Sequence, residues 1–80
     1  MLQQEVLTAI EIRVLEGLAD GLQSKEIAQL VGRSTSTIEF HIRTLYLKLR
    51  ARSRAQLVAR AYDLGHLRGA HTSVRDSDRP

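Results

Sequence analysis

STSTIEFHIRTLYLKL, running from Ser34 to Leu49, carries Ile38, Ile42, Leu45 and Leu49 at steps of four, three and four. That spacing is the buried stripe of an α-helix. Turning by about 100° per residue brings Ser36, Phe40, Arg43 and Leu47 together on the opposite side, with Glu39 and Thr44 at its flanks. Ser34 suits an N-cap, because its hydroxyl can accept an N–H of the first turn, and Gly32-Arg33 supplies the break before it. The stretch therefore predicts a helix held through one face and presenting the other.

Immediately upstream, Ser24 is expected to cap a short helix, KEIAQLV, in which Ile27, Ala28 and Val31 face inward and Gly32 is the stop. A short helix, a tight glycine turn and a longer helix with a free polar face make the helix-turn-helix pattern, whose second helix enters the DNA major groove. An ordinary helical hairpin in a bundle carries the same pattern. Further upstream, Thr8-Ala-Ile-Glu11 reads as a capping box, so a first helix starts near Ala9. Val14, Leu15, Leu18 and Ala19 form its stripe, Asp20-Gly21 ends it, and Ile10 and Ile12 lie off the stripe. Residues 1–6 read as a frayed lead-in, with Leu7 placed to pack against the first helix.

Downstream, RARSR lacks an apolar period and marks a loop. Ser53-Arg-Ala-Gln56 is a second capping-box candidate, which predicts a fourth helix from Arg54 to Leu64 with Gly65 as a left-handed stop. Leu57, Ala61 and Leu64 are its expected core stripe. A second apolar set, Ala55, Val58, Ala59 and Tyr62, has the same spacing on a neighbouring face. A small monomer seldom covers two faces of one helix, so this set is expected to form a homodimer interface. The alternative is that Val58 completes the core and the alanines simply favour helix. From Gly69 the chain has few apolar residues and balances Arg75 and Arg79 against Asp76 and Asp78, which predicts a disordered tail over 69–80. The fold class expected is all-α, a single four-helix domain over 7–68.

Composition narrows the chemistry. The 80 residues include no cysteine, and His41, His66 and His71 lack ligand-like spacing, so neither a disulfide framework nor a metal site is expected. No catalytic residues are expected either: no nucleophile, acid–base pair or phosphate loop occurs at meaningful spacing. No cofactor or small-molecule ligand is implied. The apolar runs are short and no charged region precedes an apolar one at the amino terminus, which points to a cytoplasmic protein with no membrane partner. The net charge of +3 is unevenly distributed. Residues 1–31 set Arg13 and Lys25 against Glu5, Glu11, Glu16, Asp20 and Glu26, a net of −3. Residues 32–60 set Arg33, Arg43, Lys48, Arg50, Arg52, Arg54 and Arg60 against Glu39 alone, a net of +6. A basic block of this kind is the footprint expected for a polyanion such as double-stranded DNA, or else a solvated face that maintains solubility.

Several residues taken together carry a family likeness. Leu7-Thr8, Glu11, Val14-Leu15, Gly21-Leu22, Lys25-Glu-Ile-Ala28, Ser34-x-x-Thr37-Ile-x-x-His41 and Lys48-Leu49 resemble the LuxR-type helix-turn-helix family of bacterial transcription regulators. The resemblance runs from Leu7 to about Leu67. It implies a four-helix domain with helix 3 as recognition helix, helix 2 steadying it on the DNA backbone and helix 4 forming a symmetric dimer. Carried over, it places Lys25, Thr37 and Lys48 near phosphates, where such donors fix register without reading sequence; Thr35 is expected there too, and His41, between the two faces of the helix, is expected to pack or to face phosphate. Base contacts fall to Ser36, Glu39, Phe40 and Arg43. Arg43 can fork onto guanine, and Phe40 can pack on a thymine methyl or instead brace the helix. Glu39 is the main departure, since the family often has lysine there. A glutamate accepts from cytosine N4 but repels phosphates. Ala9-Ile10 replaces a common Pro-Arg, and Leu47 is apolar on the outward face. Two other functions fit the pattern: a protein-interaction module that antagonises a relative by forming heterodimers, and the related carboxyl-terminal region of sigma factors, which would make RNA polymerase a partner.

Overall fold

Thr8 opens the first helix through the expected capping box: its hydroxyl accepts the Glu11 N–H at 3.2 Å, and Glu11 Oε1 accepts the Thr8 N–H at 2.9 Å. In the computed structural model, which describes residues 6–68, helix α1 then spans Ala9–Ala19. It is followed by α2 (Ser24–Val31), α3 (Thr35–Leu49) and α4 (Arg54–Asp63), with no strand among the described residues. The fold is all-α. The first five residues of the expected lead-in and the whole of the expected tail lie outside the described residues.

Helix starts follow the polar residues that satisfy the first free N–H groups. Ser34 caps α3, its hydroxyl accepting the Thr37 N–H at 3.2 Å, and Ser53 caps α4 by accepting the Gln56 N–H at 3.1 Å. At α2 the cap lies one residue earlier than expected. Gln23 occupies it in extended conformation, and its N–H donates to Glu26 Oε1 at 2.8 Å. Glu26 sets this frame, since a carboxylate three residues into a helix reaches back to the cap N–H. Ser24 becomes the first helical residue, and its hydroxyl is released for another use.

The core is one cluster drawn from every helix: Val14, Leu15 and Leu18 of α1, Ile27 and Ala28 of α2, Ile38, Leu45 and Leu49 of α3, and Leu57 and Ala61 of α4. Leu7, Ile10, Ala19, Val31 and Ile42 pack at its edge, half-buried or partly exposed. Helices α1 and α3 each contact the other three. The stripe expected on α4 needs correction at its end, where Leu64 is 52% exposed and Leu67 is buried instead. Helix α4 ends at Asp63, and Gly65 takes a left-handed φ of 84°. The chain reverses there, turning Leu64 outward and Leu67 back to the core.

Two features have no local signature. Arg54 donates from Nη2 to the carbonyls of Leu18 at 2.7 Å and Leu22 at 2.8 Å, and from Nε to Leu18 at 3.2 Å. Its guanidinium bonds one carbonyl in the last turn of α1 and one in the α1–α2 connection, and thereby ties α4 to that end of α1. Gly17 lies where α1 approaches α2 closely: a Cβ there would stand 2.7 Å from Ile27 Cγ1 and 3.0 Å from its Cδ1. Because Ile27 is buried, Gly17→Ala is expected to lose stability. Overpacking of about 1–3 kcal/mol exceeds the roughly 1 kcal/mol that alanine gains over glycine in a helix. A urea titration checks this, and an alanine variant as stable as the wild type would mean that Ile27 yields freely.

Candidate nucleic-acid interface

Helix α3 is fixed by Ile38, Leu45 and Leu49, each no more than 2% exposed. Its opposite side is open. Ser36, Glu39, Phe40, Arg43 and Leu47 are all exposed, Phe40 at 57% and Leu47 at 77%. The expected base-facing residues thus share one exposed surface, with apolar, acidic and basic groups side by side. The Phe40 ring is not buried as a brace; it meets the His41 ring edge-on, with centroids 5.7 Å apart.

The expected phosphate-facing residues fall into different situations. Lys25 and Thr35 are exposed in the first turns of α2 and α3. Helix starts offer free N–H groups and the positive end of the helix dipole, both suited to an anion. Thr37 is half-buried and its hydroxyl accepts from Ser34 Oγ at 2.8 Å, which pins the start of α3. Within half-buried His41, Nδ1 is buried without a hydrogen-bond partner among the described residues.

Lys48 is engaged inside the protein. Its Nζ lies 2.7 Å from Glu11 Oε1 and donates to the Val6 carbonyl at 3.2 Å, although 32% of the side chain is exposed. The Glu11 carboxylate, 6% exposed, is therefore paired across α1 and α3. Burial pushes its pKa up, but the Lys48 hydrogen bond and charge and the Thr8 donors outweigh this and hold it below the ordinary value. Of the seven cations in the basic block, Lys48 and Arg54 serve the fold. The remaining five, Arg33, Arg43, Arg50, Arg52 and Arg60, are exposed.

Glu39 does not take the partner that helix geometry offers. A glutamate four residues before an arginine is well placed for an ion pair, yet none forms between Glu39 and Arg43. Instead Glu39 Oε2 lies 3.5 Å from the Ser24 hydroxyl across the α2–α3 turn. On α4, Ala55 and Ala59 are exposed, whereas Val58 and Tyr62 are half-buried against the core. The expected dimer face is thus an exposed alanine pair bordered by two residues that the monomer already packs. No group of acidic, histidine or cysteine side chains suited to a metal occurs among the described residues, and none of their helices is long and apolar enough to cross a membrane.

Comparison with known proteins identifies the family of the chain. Residues 5–61 match the family described as bacterial regulatory proteins, luxR family. The chain is similar to the nitrate/nitrite response regulator protein NarP of Escherichia coli K12, 49% identical over 49 residues that cover 61% of this chain and 23% of that protein. It is also similar to the probable transcriptional regulatory protein SgaR of Hyphomicrobium methylovorum, 42% identical over 69% of this chain and 26% of that protein. A third relative is the transcriptional activator protein PhzR of Pseudomonas fluorescens, 39% identical over 71% of this chain and 23% of that protein. The chain spans about a quarter of the length of these curated relatives. With four helices in the expected order and a family match over most of its length, the chain belongs to the LuxR family of bacterial transcription regulators, as a helix-turn-helix DNA-binding domain.

Proposed function

We propose that this domain binds double-stranded DNA sequence-specifically as a homodimer, with α3 as the recognition helix in the major groove. The observation that carries the reading is the two-sided character of α3. One face is locked into the core, and the other exposes Ser36, Glu39, Phe40 and Arg43 together. Arg43 forks onto the O6 and N7 of guanine, Glu39 accepts from cytosine N4 and Phe40 packs on a thymine methyl. Lys25, Thr35, Thr37 and His41 contact phosphates and set register. Pairing through Ala55 and Ala59, with Val58 and Tyr62 alongside, places two copies of α3 about one turn of DNA apart.

The exposed arginines require that binding release counterions. Affinity for a pool of random duplexes is expected to fall by roughly tenfold or more as salt rises from about 50 to about 200 mM. Fluorescence anisotropy at the two concentrations measures it, and an affinity indifferent to salt would remove phosphate contact from the reading. Leu47, at 77% exposure beyond the base-facing residues, favours a second role for the same helix end in contacting another protein. That role requires that charge reversal at Arg43 leave the protein contact intact.

A further inference from the structure

Both readers on α3 carry full charges of opposite sign, four residues apart, and each is useful to a base only while the two stay separate. Left alone, Glu39 and Arg43 are placed to neutralise one another along the helix surface. The separation instead coincides with a contact from α2. Ser24, displaced from the cap position by Gln23, has its hydroxyl 3.5 Å from Glu39 Oε2, while Arg43 has no ion-pair partner among the described residues.

We propose that Ser24 is a positioning residue for sequence readout, holding the Glu39 carboxylate toward α2 and off Arg43 so that both side chains remain available to base edges. The proposal rests on the DNA-binding reading above and adds a residue that touches no base. In this arrangement Ser24 donates to one carboxylate oxygen, which leaves the other free to accept from a cytosine amino group. Without the hydroxyl, Glu39 swings to Arg43. The acceptor and the guanidinium fork are then occupied together, and discrimination weakens at the base pairs they read. A carboxylate needs this guidance where a lysine does not, because a lysine at position 39 would be repelled by Arg43.

The test uses the full 80-residue chain and its own selected duplex, with single base-pair changes through the half-site. Wild type, Ser24→Ala, Ser24→Thr and Glu39→Gln are titrated against each duplex. Ser24→Ala is expected to reduce discrimination about threefold at the base pairs affected by Glu39→Gln or facing Arg43, as fits the loss of one modest hydrogen bond. Ser24→Thr is expected to restore it. Ser24→Ala lowering affinity evenly on every duplex would make Ser24 a phosphate contact, and an unchanged profile would give it no role. Either result overturns the proposal.

A measurement without DNA separates failure of this proposal from failure of the DNA-binding reading. The Arg43 side-chain Nε–H resonance is followed as Glu39 is titrated with acid. It is expected to respond in Ser24→Ala, where the two groups meet, and far less in wild type. An equal response in both chains overturns the positioning role whatever the DNA result, whereas failure to select any duplex while the resonances differ as expected would count against the DNA-binding reading alone.

Discussion

Lys48→Met is expected to lower the free energy of unfolding by about 2–3 kcal/mol, because it strands the buried carboxylate of Glu11 without its cation. Methionine keeps most of the side-chain volume, so the loss reports the charge and not a cavity. The double variant Glu11→Gln, Lys48→Met is expected to recover at least about 1 kcal/mol relative to the sum of the single changes, since a neutral amide needs no counter-charge. Acid provides a second check. The folded-state pKa of Glu11 is lowered, so the pair's contribution is fully present above the unfolded value, close to 4.5, and fades as pH falls through the folded value. In Lys48→Met the lowering by the Lys48 hydrogen bond and charge is lost while burial remains, so that pKa rises relative to the wild type. The difference between the two chains should be largest near neutral pH and shrink below about pH 4. Urea titrations at several pH values measure it, and a difference independent of pH would show that the pair carries no such linkage.

Arg43→Ala is expected to cost about 1–3 kcal/mol of binding on the preferred duplex and to relax preference at one base pair of each half-site. The fold should not change, because Arg43 is exposed and makes no ion pair among the described residues. Lys25→Ala is the contrasting case. A cation that meets phosphate weakens binding evenly across sequences and lowers the salt dependence by about one unit of slope. Anisotropy titrations against the preferred duplex and its single-pair variants separate the two outcomes. An even loss for Arg43→Ala would move it from base to backbone.

The sequence makes the α3 surface legible because a helix period is a local property. Ser34 as cap, Ile38, Leu45 and Leu49 inside, and Phe40, Arg43 and Leu47 outside all follow from spacing within one element. What spacing does not reveal is partnership across the chain. Lys48 and Glu11 are 37 residues apart, and Arg54 and Leu18 are 36 apart. Both cations belong to a basic block that composition alone assigns wholly to the surface, and only packing shows two of them bonded to groups of the fold. Ser24 illustrates a smaller limit. Gln23 and Ser24 both precede the helix pattern, and the choice of cap depends on Glu26 reaching back by three residues, a rule that the residue preference for serine conceals. At the other end, Leu64 continues the stripe of α4 on paper, but the left-handed turn at Gly65 gives its place to Leu67.

Whether α3 reads sequence is decided most directly by selecting bound duplexes from a random pool with the wild-type chain and, in parallel, with Glu39→Lys. The expected result is an enriched palindrome from the wild type, with half-sites about one helical turn apart, and a changed preference within each half-site for Glu39→Lys. Salt-sensitive binding with no enriched sequence from the wild type, or with one that the substitution leaves unaltered, would contradict base reading by this face of the helix.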